Sequence, residues 1–483
     1  MISTEAIALM PPIAWVALPF LAGFSVYLLP QLARYLALLV SLVSLGLALP
    51  ELWNPEPLTL TLLDNFGVTL LIDSLSGYFI VTNALVTAAV LLYCWRSDRS
   101  AFFYTQAIAL HGSVNAVFIC ADFISLYVAL EVISVAAFLL IAYPRTNRAI
   151  WVALRYLFIS NTAMLFYLMG AALVYRSAES FRFDGLAAAP PEAIALIFLG
   201  LLTKGGVFVS GLWLPLTHSE AETPVSALLS GVVVKTGVFP LVRCALIADG
   251  VAPILGLFGV ATALLGVVYA IFEPDTKRTL AFSTISQIGF ILAAPAAAGG
   301  YALTHGLAKA VLFLTAGNLP SRRFDQLQQM SIHPLSWLAL TLAGLSVAGF
   351  PFLGGFGTKV ALFKLLAPWQ AIALNVAAVG TAIVMVKFIV LPYGSAPSAP
   401  PKRDLWLAVG LLLIGLVVVN GLYLDTYTWA NAVKALLVAT AGWLAYHLLR
   451  RSLLKLPQTA EQFDHLIGTM SLVVTLLFWM VLT

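Results

Sequence analysis

Charged side chains are scarce in this chain. Asp, Glu, Lys and Arg make up 10% of its 483 residues, whereas 61% are hydrophobic and the mean hydropathy is +0.99. A chain of this length with so few charges is not a soluble globular protein. The composition therefore predicts an all-α polytopic membrane protein.

Cysteines and the motifs of common enzymes are also scarce or missing. The three cysteines, Cys94, Cys120 and Cys244, form no CxxC pair, which excludes a disulfide framework and a cysteine metal site. There is no glycine-rich phosphate loop, no HExxH motif, and no extramembrane stretch above about 25 residues to hold a nucleotide or redox cofactor. We expect no cofactor, no metal, no nucleic-acid partner and no enzymatic activity from this chain alone.

Apolar runs of membrane-spanning length recur along the chain and predict about 14–16 transmembrane helices. They cover residues 8–29, 31–50, 74–95, 103–120, 122–143, 150–175, 191–214, 224–248, 251–272, 277–298, 301–318, 335–366, 370–392, 404–424, 427–449 and 467–483. Glycine and proline interrupt the seventh run at Gly205, Gly206, Gly211 and Pro215, and the twelfth at Pro351, Gly354, Gly355 and Gly357. We therefore expect helices 7 and 12 to be broken inside the membrane.

Basic residues are distributed unevenly between the two sets of alternate loops. One set holds fourteen, namely Arg34, Arg96, Arg99, Arg145, Arg148, Lys277, Arg278, Arg322, Arg323, Lys402, Arg403, Arg450, Arg451 and Lys455. The other set holds four, namely Arg176, Arg182, Arg243 and Lys364. The positive-inside rule places the first set in the cytoplasm, so we expect both termini to be extracytoplasmic.

Seven basic residues remain inside the apolar runs: Arg155, Lys204, Lys235, Lys309, Lys359, Lys387 and Lys434. Arg155 and Lys434 lie near helix ends and are expected to snorkel to the interface. The five other lysines share the membrane with one carboxylate at mid-depth, Glu131, in DFISLYVALEVISVAAFLLIAYPR (122–145). Five ammonium groups and one carboxylate cannot form a neutral core, so some lysines must be uncharged part of the time. Proton movement requires groups that can change between a charged and a neutral form.

The lysine positions also predict an internal repeat. Lys204 precedes the break in helix 7 and Lys359 follows the break in helix 12, 155 positions later; Lys235 and Lys387 are 152 positions apart. Helices 4–8 and 9–13 then form two five-helix units, and an odd number of crossings inverts the second unit. The expected domains are residues 1–100, 101–250, 251–395 and 396–483. We see no other residue identity between the units.

Five motifs resemble one family. They are DFISLYVALEVIS (122–134), LPLTHSEAETPVSALLSGVVVKTGVFPLVR (214–243), DTKRTLAFSTISQIGFIL (275–292), THGLAKAVLFLTAGN (304–318) and GFPFLGGFGTKVALF (349–363). These stretches resemble the antiporter-like proton-channel family, which includes the D subunit of Mrp-type Na⁺/H⁺ antiporters and the antiporter-like subunits of complex I. The resemblance extends over residues 100 to 400.

The resemblance implies a role for each matching residue. Glu131 matches the glutamate of helix 5 and Lys204 the lysine of helix 7, a pair whose separation is thought to change the proton affinity of the lysine. The matches continue through Lys235, His305, Lys309 and Lys359. The family often has an acidic residue soon after Trp-Leu-Pro in helix 7, but here Leu216, Thr217 and His218 follow. Two unit charges about 4 Å apart interact by about 4 kcal/mol at an effective dielectric near 20, enough to couple such a pair.

Several residues keep two interpretations. Lys387 either extends the proton path or snorkels, and His218 either admits protons or is solvated on the surface near Glu220 and Glu222. His111 is expected to be a hydrogen-bonded core histidine. Residues 51–73 are expected to form an extracytoplasmic hairpin.

Three functions remain open. The favoured one is the proton-translocating membrane subunit of a multisubunit Na⁺/H⁺ antiporter, partnered by other membrane subunits, protons and Na⁺. The second is an antiporter-like subunit of a redox-driven complex, either complex I-like or a membrane-bound hydrogenase, where this chain is a non-redox subunit. The third is a membrane scaffold without transport, which the lysine series disfavours. The expected location is a prokaryotic inner membrane or a thylakoid membrane.

Overall fold

The computed structural model describes residues 4–63, 67–248, 250–394, 402–450 and 456–482, with side chains from residue 12 onward. Arg451 and Lys455 of the predicted basic loops lie outside these ranges. Helices occupy all sixteen predicted segments, and the letters a and b mark two parts of one crossing. They are α1 (Thr4–Leu28), α2 (Ala33–Ala48), α3 (Ser74–Tyr93), α4 (Ala101–Ile119), α5 (Phe123–Ile141), α6 (Asn147–Ala178), α7a (Pro191–Lys204), α7b (Leu214–Glu220), α8a (Thr223–Leu228), α8b (Lys235–Ile247), α9 (Val251–Phe272), α10 (Thr276–Ala293), α11 (Ala298–Ala316), α12a (Pro334–Ala348), α12b (Gly354–Phe363), α13 (Pro368–Ile389), α14 (Arg403–Gly421), α15 (Trp429–Leu449) and α16 (Phe463–Leu482).

Most of these helices are long and apolar enough to cross a membrane by themselves. Twelve of the crossings satisfy both conditions within the described ranges. Of the other four, α10 and α11 meet at a bend of 111°, and the described parts of α1 and α12a are shorter. Because α10 has 18 residues and α11 has 19, each is about 27–28 Å long, close to the hydrocarbon thickness of about 30 Å. The predicted all-α membrane fold is confirmed.

Helices 7 and 12 are broken, as the sequence predicts. The chain leaves α7a at Gly205, and Gly206 has a φ of +69° that favours glycine. The chain leaves α12a at Gly349, where φ is +81°. A third irregularity was not predicted: a π-helical turn, Leu229–Val233, separates α8a from α8b. Such turns leave backbone carbonyls available to other donors.

Aspartates at the membrane surface set the start of several helices. Asp73 caps α3 by accepting a hydrogen bond from the Ser76 amide at 2.9 Å. Asp122 caps α5 and Asp275 caps α10 in the same way. Each carboxylate satisfies an amide in the first turn and complements the helix dipole. A polar residue just before each apolar run therefore fixes where that run enters the membrane.

A repeated motif connects the two five-helix units. Residues 182–186 read RFDGL and residues 323–327 read RFDQL. The first motif forms a β-bridge between Arg182 and Asp122, beside the start of α5, and the second forms one between Arg323 and Asp275, beside the start of α10. In each motif the arginine also pairs with the aspartate two positions later. The expectation that no other residue identity links the units is therefore wrong.

The two RFDxL motifs lie at opposite ends of the helix bundle. The one at Arg323 lies next to the Arg322–Asp275 ion pair among the predicted cytoplasmic loops. The one at Arg182 lies among the opposite loops, close to a two-stranded hairpin of β1 (Leu58–Thr61) and β2 (Thr69–Ile72). The same local structure at opposite ends is the signature of inverted repeats. The hairpin itself is the one predicted for residues 51–73.

The buried centre of the bundle is formed by α3, α8, α10 and α11. Helix α11 contacts α3, α8a, α10, α12a and α14, and all of its residues are buried. The peripheral helices are much more exposed. In α15 only 11% of the membrane-spanning window is buried, so most of that helix lies on the surface of the chain. His111 of α4 is a core histidine, as expected, since its ring nitrogens lie 2.9 Å from the Ser44 hydroxyl and 3.3 Å from the Thr87 hydroxyl. Polar groups inside the centre are therefore candidates for function.

Candidate functional site: a row of buried lysines

Lys204 ends α7a and its ammonium group is surrounded by neutral oxygens. The Nζ atom donates to the Leu130 carbonyl at 3.1 Å, to the Ser160 hydroxyl at 2.7 Å and to the Ser134 hydroxyl. An ammonium group has three protons, so all of its donors have partners. The residue is 3% exposed, and its place in the last turn of a helix favours a positive charge.

Glu131 does not form the expected direct pair with Lys204. No ion pair joins them within the described residues, and the buried Oε1 atom of Glu131 has no hydrogen-bond partner there. The reason lies in helix geometry: Lys204 contacts the face of α5 that carries Leu130 and Ser134, and Glu131 is rotated by about 100° from Leu130. The two charges interact electrostatically without contact. In this conformation the pair is separated.

Lys235, His305 and Lys309 form a compact cluster at the centre of the bundle. The Lys235 Nζ atom donates to the Ser230 carbonyl, in the π-helical turn, at 2.7 Å. Lys309 Nζ donates to the Leu280 carbonyl of α10 at 3.0 Å. Glycine at position 306 allows close packing beside this cluster, because a Cβ atom there would clash with the Thr82 methyl group and lie 3.0 Å from the Gly231 carbonyl oxygen. The three groups are close enough to interact electrostatically.

His305 lines a small polar cavity between α10, α11 and the two parts of helix 12. Both ring nitrogens of His305 are buried without a hydrogen-bond partner in the described ranges. The cavity has a volume of about 10 Å³, close to what one water molecule needs. Its lining is mainly polar: Gln287, Tyr301, Thr304, His305, Ser346, Val347 and Gly355.

Lys359 lies at the break in helix 12. Its Nζ atom donates to the Ala348 carbonyl at the end of α12a at 3.0 Å and lies 5.2 Å from the centre of the Phe290 ring. Thr358, its neighbour in the chain, lies 3.0 Å from the Thr304 hydroxyl of α11. This hydroxyl contact connects α11, which carries His305, with α12b, which carries Lys359.

His218 is not solvated on the surface, so that interpretation is wrong. The residue is 0% exposed and its ring lies near the rings of Trp213 and Phe313. Neither ring nitrogen has a hydrogen-bond partner in the part of the chain that the structure describes. The nearby carboxylates pair elsewhere, Glu220 with Arg148 and Glu222 with Arg99. His218 is therefore a buried histidine, and it is close enough to Lys235 and Lys309 of the central cluster to interact with them electrostatically.

The snorkelling interpretation is also wrong for Arg155. Its side chain is 4% exposed, and it donates to the Glu461 carbonyl in the segment before α16. Glu461 in turn pairs with Arg278 at 2.7 Å. These contacts hold the start of α16 against α6 of the first unit and α10 of the second. Lys434, in contrast, is exposed in the second turn of α15, as a snorkelling lysine should be.

Lys387 caps a helix rather than snorkelling. Its Nζ atom donates to the carbonyls of Ala270, Ile271 and Glu273 at the end of α9, and lies 4.5 Å from the Phe324 ring centre. A cation that binds the last carbonyls of a helix satisfies otherwise unpaired acceptors. The proton role of Lys387 stays a prediction, but its geometry is that of a cap.

Replacing Lys387 with methionine is expected to lower stability more than transport. Loss of the cap should lower the free energy of unfolding by about 1–2 kcal/mol, seen as a lower melting temperature of the purified complex. The transport rate per assembled complex should stay close to wild type. A large loss of transport without a change in melting temperature would show that Lys387 carries protons instead.

Sequence reasoning missed the neutral partners of the lysines. Ser134 and Ser160 hold Lys204, and Tyr301 donates to Gln287 at 2.6 Å beside the cavity. A signal was present, because Gln287 is a polar amide inside an apolar helix and Ser134 lies three residues after Glu131. Serine and threonine are common in membrane helices, so their position alone did not single them out.

No metal site accompanies this row. Within the described ranges there is no group of three or more His, Cys, Asp or Glu that could hold a metal ion, and the three cysteines are free and buried. The ionisable groups that the row contains are lysine, histidine and glutamate.

Comparison with known families agrees with this geometry. Residues 120–385, more than half of the chain, match the family described as "NADH:quinone oxidoreductase/Mrp antiporter, TM". The chain belongs to this family. The matched range begins just before Asp122 and includes Glu131, Lys204, Lys235, His305, Lys309 and Lys359. The chain is an integral membrane protein.

Members of the family with curated names belong to two kinds of complex. The chain is 28% identical to the D subunit of the Na(+)/H(+) antiporter of Alkalihalophilus pseudofirmus over 377 residues, which is 71% of this chain and 74% of that protein. It is 27% identical to "NAD(P)H-quinone oxidoreductase chain 4-2" of Synechocystis sp. over 443 residues, 81% of this chain and 79% of that protein. Sequence identity of this size does not separate the two kinds.

A solved structure shares the fold. A chain of the Mrp complex from Dietzia sp. superimposes with a TM-score of 0.77 at 21% sequence identity, over 95% of this chain and 100% of that chain. The arrangement of helices is therefore one that occurs in a multisubunit membrane complex of the same family.

Proposed function

We propose that this chain is the proton-translocating membrane subunit of a multisubunit cation/proton antiporter. Protons move along Glu131, Lys204, Lys235, His305, Lys309 and Lys359, with His218 as the access residue from the cytoplasmic side. The observation that carries the proposal is the chemistry around the lysines. None of the lysines of this row makes an ion pair with a carboxylate in the described part of the chain, whereas all nine described ion pairs use arginine.

This division of roles has a physical reason. Arginine is always protonated, so an arginine ion pair is a permanent structural contact. Lysine loses its proton more easily when buried, and carbonyl or hydroxyl acceptors do not hold its charge as firmly as a carboxylate does. A row of buried lysines with neutral acceptors can therefore gain and lose protons in turn. A scaffold without transport would have no use for it.

The separated Glu131–Lys204 pair supports a switch at one end of the row. If Glu131 approaches Lys204, the charged form of the lysine is stabilised; if it withdraws, as in this conformation, only the two serines and the Leu130 carbonyl hold the ammonium group. Movement of the carboxylate would then drive the proton towards Lys235. This is the step that a coupled transporter needs.

Replacing Glu131 with glutamine is expected to reduce ion-driven proton transport about tenfold or more, because the amide keeps the shape but removes the charge that controls Lys204. The measurement is Na⁺-dependent dissipation of a pH gradient in vesicles that carry the complete complex. Glu56→Gln, at an exposed site near the hairpin, is the matched control and should transport normally. Full transport by Glu131→Gln would exclude this role.

A subunit of a redox-driven complex is the second candidate, because the Synechocystis relative is named as a quinone oxidoreductase chain. The same vesicles distinguish the two: Na⁺-driven transport without an electron donor supports the antiporter, and proton transport that requires quinone reduction supports the redox complex.

The orientation and the domain division are part of the proposal. We place both termini outside the cytoplasm and assign the two inverted units to residues 101–250 and 251–395, flanked by 1–100 and 396–483. Ion pairs between loops support the orientation, since they join loops within one of the two predicted sets, such as Arg99 with Glu222 and Arg243 with Asp73. Labelling of single cysteines in the loops from each side of the membrane tests it.

A further inference from the structure

A cavity outside the central row is lined by three lysines. It lies between α12b, α13 and α15 and has a volume of about 260 Å³. Lys359 forms its inner end, and Lys364 and Lys434 also line it, together with Asn375 and Asn431. No aspartate or glutamate is among the lining residues. The cavity is therefore strongly positive and complementary to an anion.

The two outer lysines have no counter-charge. Lys364 and Lys434 are exposed and form no ion pair in the described ranges. They share this with the other lysines of the described ranges, because all nine ion pairs there use arginine. Two unpaired ammonium groups beside one cavity repel each other, and an anion between them would remove that repulsion.

The position of the lysines matches the headgroup layer of a bilayer. Lys364 directly follows α12b, and Lys434 is in the second turn of α15, so both lie near the same membrane surface. Lys359 is five residues before Lys364 and thus about 7.5 Å deeper. Lysines at this depth extend their ammonium groups to the interface, where lipid phosphates lie.

The walls of the cavity suit an acyl chain beside a phosphate. Val360, Phe363 and Val438 supply apolar surface next to the lysines. One wall is α15, most of which is exposed on the surface of the chain, so the cavity lies near that surface. Basic pockets between transmembrane helices on the cytoplasmic side of membranes bind anionic lipid headgroups, and the same charge complementarity applies to a basic pocket at the opposite surface.

We propose that this cavity binds the phosphate of an anionic phospholipid through Lys364 and Lys434. The site adjoins the proton row at Lys359, but lipid binding through Lys364 and Lys434 does not depend on the function proposed above. Only one consequence depends on it: a phosphate at the mouth offsets the positive potential at Lys359, so transport should increase when anionic lipid is present.

The test uses the purified complete complex and its binding of fluorescent phosphatidylglycerol. The double variant Lys364→Gln/Lys434→Gln should bind the lipid roughly 30-fold more weakly, because each basic residue near an anionic lipid raises the affinity about fivefold. Lys402→Gln, an exposed lysine at the opposite end of the bundle, is the control and should bind normally. Phosphatidylcholine and inorganic phosphate are the competing probes, and neither should displace the labelled lipid.

The other outcomes contradict the proposal in distinguishable ways. Equal binding by the double variant and wild type means that the cavity is not the lipid site. Displacement by inorganic phosphate means that the site takes a soluble anion. Loss of a neighbouring subunit from the double variant means that a protein covers the cavity. Normal lipid binding with no effect of the lipid on transport contradicts the expected influence of the bound phosphate on Lys359.

Discussion

Replacing Lys204 with alanine is expected to abolish ion exchange by the assembled complex, with a drop of about 100-fold or more. Lys204 is the residue through which Glu131 acts on the rest of the row, and no other basic side chain contacts the Ser134–Ser160 pair in the described structure. The protein should still fold. Ser134 and Ser160 lie 3.0 Å apart and can bond each other when the ammonium group is gone. The measurement is Na⁺-dependent collapse of a pH gradient in vesicles carrying the whole complex.

Lys204→Arg makes this test sharper. Arginine keeps the positive charge but does not lose its proton, so it should be nearly as inactive as alanine if proton exchange is what matters. Thr203→Ala, a change at the adjacent buried residue, should transport normally. An active arginine variant would show that Lys204 serves only as a fixed charge.

Replacing Arg243 with alanine is expected to lower the free energy of unfolding by about 3 kcal/mol. Arg243 is 4% exposed and binds Asp73 through both ends of its guanidinium group, and it also donates to the Ser76 hydroxyl at 3.1 Å. Its removal leaves a partly buried carboxylate without a partner. The result should be a lower melting temperature and less assembled complex in the membrane.

The control is an arginine pair on the same side of the bundle. Arg182 pairs with Asp184 at 2.8 Å, but both side chains are largely exposed, so Arg182→Ala should cost at most about 1 kcal/mol. Equal effects of the two substitutions would mean that burial does not strengthen the Arg243–Asp73 pair.

The same ion pair predicts a dependence on pH. Burial alone would raise the pKa of Asp73, but hydrogen bonds and the charge of Arg243 outweigh it and hold the pKa below its usual value of about 4. A carboxyl group whose pKa is lowered by folding contributes stability that is present above about pH 4 and is lost as the pH falls further. Melting temperatures measured from pH 7 downward should therefore fall more steeply below pH 4 in wild type than in Asp73→Asn.

The sequence predicted the larger features because each depends on a local property of the chain. Hydrophobic length placed the helices, and glycine and proline marked the breaks in helices 7 and 12. The predicted site residues also came from the sequence alone, since a charge in an apolar helix is rare and costly. The structure brings Lys235, His305 and Lys309 together in one buried cluster.

The contacts of each charge could not be predicted in this way. Lys204 is buried and Glu131 is partly buried, and their opposite charges favour a direct pair, yet a rotation of one residue along α5 separates them. Lys387 and Arg155 lie near helix ends, which predicts snorkelling, but their partners come from residues more than a hundred positions away. Such choices depend on which helices become neighbours.

The RFDxL repeat shows the limit of what the sequence alone can predict. The motif is visible in the sequence at 182–186 and 323–327, but a five-residue match among 483 residues is not informative by itself. The fold places each copy of the motif beside the aspartate at a helix start, at opposite ends of the bundle. By itself the sequence determined that this chain crosses a membrane many times and carries lysines inside it, because hydropathy and charge are local. Only the tertiary structure decided that neutral oxygens hold those lysines while arginines take the carboxylates, because partners are set by packing between distant segments.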